Sequence, residues 1–202
     1  MSLLLQCACH LFNKAREWGY TDATNPCQGV KGFPESGRDR YVTDAEFLAV
    51  RAKADDTVRD AMDIALLTGQ RPADVLKIQC ADIHDGALFV AQNKTGAKRA
   101  IEIVGELASV IERINGRKRE RRSAFLIQDD NGRPLSMLAM RGRFDKARKA
   151  AGVAFQFRDI RAKTASDTGD LGHSQKLLGH KNREMTEHYV RERIGLRVPP
   201  LR

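Results

Sequence analysis

The chain has 202 residues, with 35 Lys plus Arg against 26 Asp plus Glu and a formal charge of +9. That length holds one good domain with an appendage, no apolar run is long enough to span a membrane, and the basic balance favours an anionic partner, above all nucleic acid. The four cysteines, at 7, 9, 27 and 80, lack the paired spacing of a zinc site and read as reduced, structural thiols of a cytosolic protein, and the opening residues lack the basic start and cleavage site of a secretory signal.

Apolar periodicity predicts a first helix over residues 4–18, stopped by Gly19. Its apolar stripe is broad for a lone helix and reads as the last helix of a larger domain. Residues 21–40, with Asn25-Pro26, Gly29, Gly32, Pro34 and Gly37, read as a linker. Thr43 and Glu46 form a capping box for the next helix. A strongly apolar helix follows over 55–67 and breaks at Thr68-Gly69. A short helix over 71–78 admits Pro72 in its first turn. Three short strands are expected at about 78–83, 87–91 and 99–103, with Asp85-Gly86 as a hairpin turn. Helix returns over 105–120 and carries a basic run, Arg117 to Arg122, that reads as a solvated face. An extended piece at 124–127 and a turn at Asn131-Gly132 precede helices at 136–151, 159–168, 173–179 and 183–191. The fold class is therefore α+β, mainly α, with one small antiparallel sheet.

Six residues carry candidate chemistry. Arg71 follows Thr-Gly-x in LLTGQRPADVLKI; Arg158 and Arg161 stand three apart in FRDIRAKTAS; His180 follows Leu-Leu-Gly; and Tyr189 comes nine positions after it. Lys94 lies in the connection between the second and third strands, with Lys98 as its rival. Breaking a phosphodiester requires a nucleophile, positive charge on the non-bridging oxygens and a proton for the leaving oxygen. The planar guanidinium suits the second task, lysine or histidine the third, and a tyrosine can be the nucleophile of a covalent intermediate.

In their order and spacing these motifs resemble the catalytic domain of the tyrosine recombinase (phage integrase) family, over about residues 41–192. The first helix resembles the end of that family's core-binding domain. The resemblance implies a DNA breaking-rejoining fold, helical with a three-stranded antiparallel sheet, and domains at 1–20 (end of a core-binding domain), 21–40 (linker) and 41–202 (catalytic). It implies site-specific DNA recombination or integration through a 3′-phosphotyrosyl intermediate. Tyr189 is then the nucleophile, Arg71 and Arg161 bind the phosphate oxygens, Lys94 protonates the 5′-oxygen, and His180 assists. Arg158 stands where the family usually has histidine; it can hold charge but not exchange a proton near neutral pH. The segment from Arg161 to His180 is shorter than in many members. A second Leu-Gly-His, at 171–173, is read as a decoy, because it stands sixteen positions before Tyr189 and lacks the lysine that follows His180.

The resemblance further implies contacts to DNA from Lys98, Arg99, Lys181 and Arg141, double-stranded attachment sites as substrate, a tetramer on DNA, accessory DNA-bending proteins, no metal and no cofactor, and action in the bacterial cytoplasm or nucleoid, phage- or prophage-encoded. Two other activities fit the same residues: relaxation of supercoils by a topoisomerase of the tyrosine type, and DNA binding without cleavage by a decayed prophage remnant.

Overall fold

The computed structural model describes residues 3–31, 40–93, 96–117 and 123–190. They divide into two compact units, one ending at Asp39 and the other starting at Arg40. The first is built on α1 (Leu3–Glu17). Gly19 terminates it at φ 74°, and the Tyr20 amide closes on the Ala15 carbonyl at 2.9 Å, as a helix-stopping glycine allows. Buried Asn25 donates from its amide to Asn13 Oδ1 at 2.8 Å and to the Cys9 carbonyl at 3.1 Å, folding the following loop back on the helix. Leu4, Leu11 and Trp18 stay exposed, so the broad stripe of α1 is not covered within its own unit.

The second unit is ordered α2 (Asp44–Lys53), α3 (Asp56–Thr68), α4 (Pro72–Val75), β1 (Ile83–His84), β2 (Ala87–Ala91), β3 (Lys98–Glu102), α5 (Gly105–Asn115), α6 (Met137–Ala150), α7 (Asp159–Asp167), α8 (Leu171–Leu178) and α9 (Arg183–Glu187). Local chemistry sets the starts. Thr43 and Glu46 make the reciprocal capping box of α2, Asp55 caps α3 through the Val58 amide, and Ser136 caps α6 through the Ala139 amide. Among the described residues α3 is the central helix: nine of its residues are buried, and it packs on α2, α5, α6 and α7. The core joins Phe47 and Val50 of α2, Met62 and Ile64 of α3, Val110 and Ile114 of α5 and Phe144 of α6, the last meeting Phe155 edge-on at 5.5 Å. The sheet has order β1-β2-β3, antiparallel throughout, with Phe89 opposite Ala100. Asp85 (φ 51°) and Gly86 (φ 72°) turn the first hairpin, both left-handed as a tight two-residue turn needs.

Several boundaries differ from expectation. The helix expected over 71–78 ends at Val75, because Ile78 and Cys80 pair their backbones with Leu126 and Ala124 at 2.8 and 2.7 Å. A 3-10 turn, Cys80–Asp82, then shortens the first strand to two residues. The helix expected to 120 ends at Asn115. Residues 118–122 of the basic run lie outside the described residues, but Arg117 is no solvated charge: it pairs with buried Asp60. The helix expected from residue 173 starts two residues earlier, at Leu171, because Asp170 caps α8 through the Gly172 and His173 amides, so the second Leu-Gly-His forms its first turn. Finally, α9 stops at Glu187 and leaves Tyr189 in the turn beyond it.

Candidate active site

Two left-handed glycine turns frame the site. Gly69 (φ 64°) ends α3 and Gly179 (φ 71°) ends α8; a side chain would be strained at either. Two residues after the first, Arg71 enters α4 in extended conformation, as the residue before a proline must. Its guanidinium is partly buried, donating from Nη1 to Gln92 Oε1 at 3.3 Å and standing 3.8 Å from Asp74 Oδ2. Arg161, on the all-round buried α7, is 2% exposed. Its Nη1 donates to the Gly69 carbonyl, and Nη2 donates to the Leu178 carbonyl at 2.8 Å and lies 3.0 Å from His180 Nε2. Of its five N–H donors these contacts use three, and the buried Nε has no partner.

His180 follows the second turn. Arginine can only donate, so His180 Nε2 must accept, and its proton sits on Nδ1, 3.1 Å from the hydroxyl of fully buried Thr186. Burial and then the charges of Arg161 and Arg71 push His180 down to about 4; it is neutral at pH 7. Burial and Arg71 likewise pull Arg161 down, to about 10, with the Tyr189 phenol and Asp74 opposing. Arg161 therefore keeps its charge at neutral pH. The partly buried Tyr189 ring lies 5.0 Å from the His180 ring, and the Arg161 guanidinium carbon 5.4 Å from the Tyr189 centroid. Four residues from four segments thus meet: a phenol against a neutral imidazole and two arginines, one of them buried without a carboxylate on it.

Two glutamines and a threonine that sequence reasoning missed hold this arrangement. Gln70 donates to the Thr68 carbonyl at 2.8 Å, Gln92 donates to Gln70 Oε1 and to the Leu178 carbonyl, both at 2.8 Å, and Thr186 fixes the imidazole. Gln92 had a signal: Leu88, Val90 and Gln92 alternate inward along β2, and a polar residue at an inward strand position needs a partner.

The other expected residues are placed as follows. Lys94 lies outside the described residues, although Asn93 just before it is pinned to Asp74 Oδ1 by its amide nitrogen at 3.0 Å. Arg158 is exposed at the start of α7 and lines a different cleft, of about 440 Å³, with Arg141, Arg148 and Pro72. Arg141 is exposed, with Asp145 at 4.0 Å. Lys98 and Lys181 are exposed, whereas Arg99 donates to the Lys176 carbonyl at 2.8 Å and so ties β3 to α8. Among the described residues no cluster of His, Cys, Asp or Glu could hold a metal ion, and no helix is long and apolar enough to cross a membrane.

Residues 44–194 match the model of the phage integrase family. The chain belongs to that family. It is 31% identical over 195 residues to the integrase of Escherichia phage HK022, covering 89% of this chain and 54% of that one. It is 32% identical to the prophage integrase IntE of Escherichia coli K12, covering 91% and 55%. The chain thus spans about half the length of the curated relatives it matches. Among solved structures, a lambda integrase tetramer bound to a Holliday junction aligns with TM-score 0.80 at 26% identity, over 99% of this chain and 61% of that one. The family's fold, mainly helical with one three-stranded antiparallel sheet, is the fold observed here.

Proposed function

We propose that this chain is the DNA-cleaving and rejoining part of a site-specific recombinase that works through a 3′-phosphotyrosyl link. The observation that carries it is the convergence of Tyr189 with Arg71, neutral His180 and Arg161, whose buried guanidinium has no carboxylate on it. A scissile phosphate takes the free donors of Arg161 and the Arg71 fork. Tyr189 Oη forms its bond to phosphorus as the bond to the 5′-oxygen breaks. The phosphate draws Nη2 of Arg161 away from His180, freeing Nε2 to receive the phenolic proton. Lys94 protonates the departing 5′-oxygen; in support, Gln92 and Asn93 root its strand connection beside Arg71 and Asp74. The resulting ester keeps the energy of the broken bond, so the reverse attack by a 5′-hydroxyl rejoins strands.

Arg158 adds surface charge beside the site, and Lys98, Arg99, Lys181 and Arg141 contribute phosphate contacts. The substrate is a pair of double-stranded attachment sites, and the working assembly is a tetramer on DNA; accessory DNA-bending proteins and a phage or prophage origin in the bacterial cytoplasm complete the reading. The exposed stripe of α1 supports a place for it at the end of a core-binding domain, with residues 21–40 as the linker. Alone, this chain binds DNA weakly and with strong salt dependence, since phosphate contacts dominate.

The test is covalent trapping on a pool of nicked duplexes of randomised sequence. The parent forms an adduct resistant to denaturant, and Tyr189→Phe forms none while binding DNA equally. An adduct that persists in Tyr189→Phe, or none from the parent, overturns the reading.

A further inference from the structure

Gln92 lies at the inward register of β2, one residue past the strand, and is 1% exposed. A buried primary amide is costly unless its groups are bonded, and here both atoms are used. Oε1 accepts from Arg71 Nη1 at 3.3 Å; Nε2 donates to Gln70 Oε1 and to the Leu178 carbonyl, both at 2.8 Å. Arginine can only donate and a carbonyl only accept, so the amide has one orientation. The second glycine turn lies against it: a Cβ on Gly179 would come within 3.0 Å of both amide heteroatoms. The Asn93 amide, next in the chain, is bonded to Asp74.

One side chain therefore touches the Arg71 turn, the turn that presents His180, and the root of the β2–β3 connection. We propose that Gln92 is a positioning residue, whose amide sets the Arg71 guanidinium in register with the Leu178–His180 turn so that both meet one phosphate. This rests on the recombinase reading above. The residue type is explained by charge. Asp74 Oδ2 already stands 3.8 Å from Arg71 Nη1; a neutral amide orients the arginine without adding a second anion, whereas a carboxylate at 92 would pair with Arg71, compete with phosphate, and turn an anion toward the Leu178 carbonyl. Gln70 extends the same link to the end of α3 through the Thr68 carbonyl.

The experiment uses the 202-residue chain and a nicked duplex recovered by the trapping selection. Gln92→Glu and Gln92→Met are each made in the parent and in an Arg71→Lys background, and single-turnover adduct formation is timed at saturating DNA. If Gln92 acts through Arg71, each substitution slows the parent about tenfold to a hundredfold, the scale of a small misplacement of reacting groups. In the Arg71→Lys background, where the fork is already lost, the same substitution costs less than about threefold. Half-saturating DNA stays within about threefold throughout, as expected when the loss falls on the chemical step. Melting curves identify the variants that fold, and either substitution suffices for the comparison. Equal slowing in both backgrounds makes Gln92 a packing residue and overturns the role, as does an unchanged rate in a folded variant. Failure of the parent to form any adduct overturns the recombinase reading and the role together; an adduct with uncoupled losses overturns the role alone.

Discussion

The two ends of α3 treat buried charge in opposite ways. Toward its start, Asp60 and Asp63 are almost fully buried and met by three arginines: Asp63 by Arg51 at 2.6 Å, both carboxylates by Arg113, and Asp60 also by Arg117. There each buried carboxylate is matched by at least one guanidinium. Past its end, Arg161 is as deeply buried but lies on two backbone carbonyls and a neutral imidazole. Neutral acceptors fix a guanidinium in space without discharging it. The first arrangement serves cohesion between α2, α3 and α5; the second holds a buried cation with no counter-charge on it, as the proposed phosphate site requires. Counting arginines would not separate the two, whereas asking what each one's acceptors carry does.

Removing one charge from each end tests the contrast. Arg161→Ala is expected to slow adduct formation by on the order of 10² to 10³, the scale of a lost oxyanion donor, and to lower stability by a smaller amount, since only carbonyls lose donors. Asp60→Ala leaves Arg113 and Arg117 short of a partner and should cost about 3–5 kcal/mol of stability, read from urea unfolding, while adduct formation well below the melting temperature keeps the parent rate. If Asp60→Ala is the variant that loses chemistry, the division between the two ends is wrong.

Acid distinguishes them next. His180 is held down at about 4, below the ordinary histidine value of about 6.5, so its contribution to stability is complete above the unfolded value and is lost as pH falls toward 4. Over that window the unfolded chain binds the extra proton, and stability should drop by up to roughly 2–3 kcal/mol. His180→Gln should flatten that slope; an unaltered slope would assign it to other groups. Smallest of all is Arg158→His. The side chain is exposed and lines a cleft with Arg141 and Arg148, so melting should not move and adduct formation should stay within about threefold, far from the loss for a transition-state contact.

Much of this was legible in the sequence because it rests on local chemistry. Capping box, glycine stops and the Asp85-Gly86 hairpin each follow from a few neighbouring residues, and the ordered motifs pointed to Arg71, Arg161, His180 and Tyr189. The errors came where distant partners decide. Nothing near residues 78–80 announces that they pair with 124–126, which ends the short helix early. Arg117 read as solvated because Asp60 lies 57 positions away. The glutamines carry no distinctive motif; only the inward register, with the right partners across the fold, makes Gln92 visible.

The grip of Arg161 on the two glycine turns also bears on the order in which the chain folds. Its partner Gly69 is 92 residues away along the chain, while Leu178 is 17 away. Closing so long a loop must follow most of the entropy loss of folding. The hairpin, α5 and α6 can form before it, but the cationic pocket cannot. An incompletely folded chain, emerging from synthesis or partly unfolded by stress, then has ordinary basic surface and no buried cationic pocket. Arg161→Ala should accordingly speed unfolding and leave the refolding rate almost unchanged, so that the meeting of Arg161 with the two glycine turns forms last and is lost first.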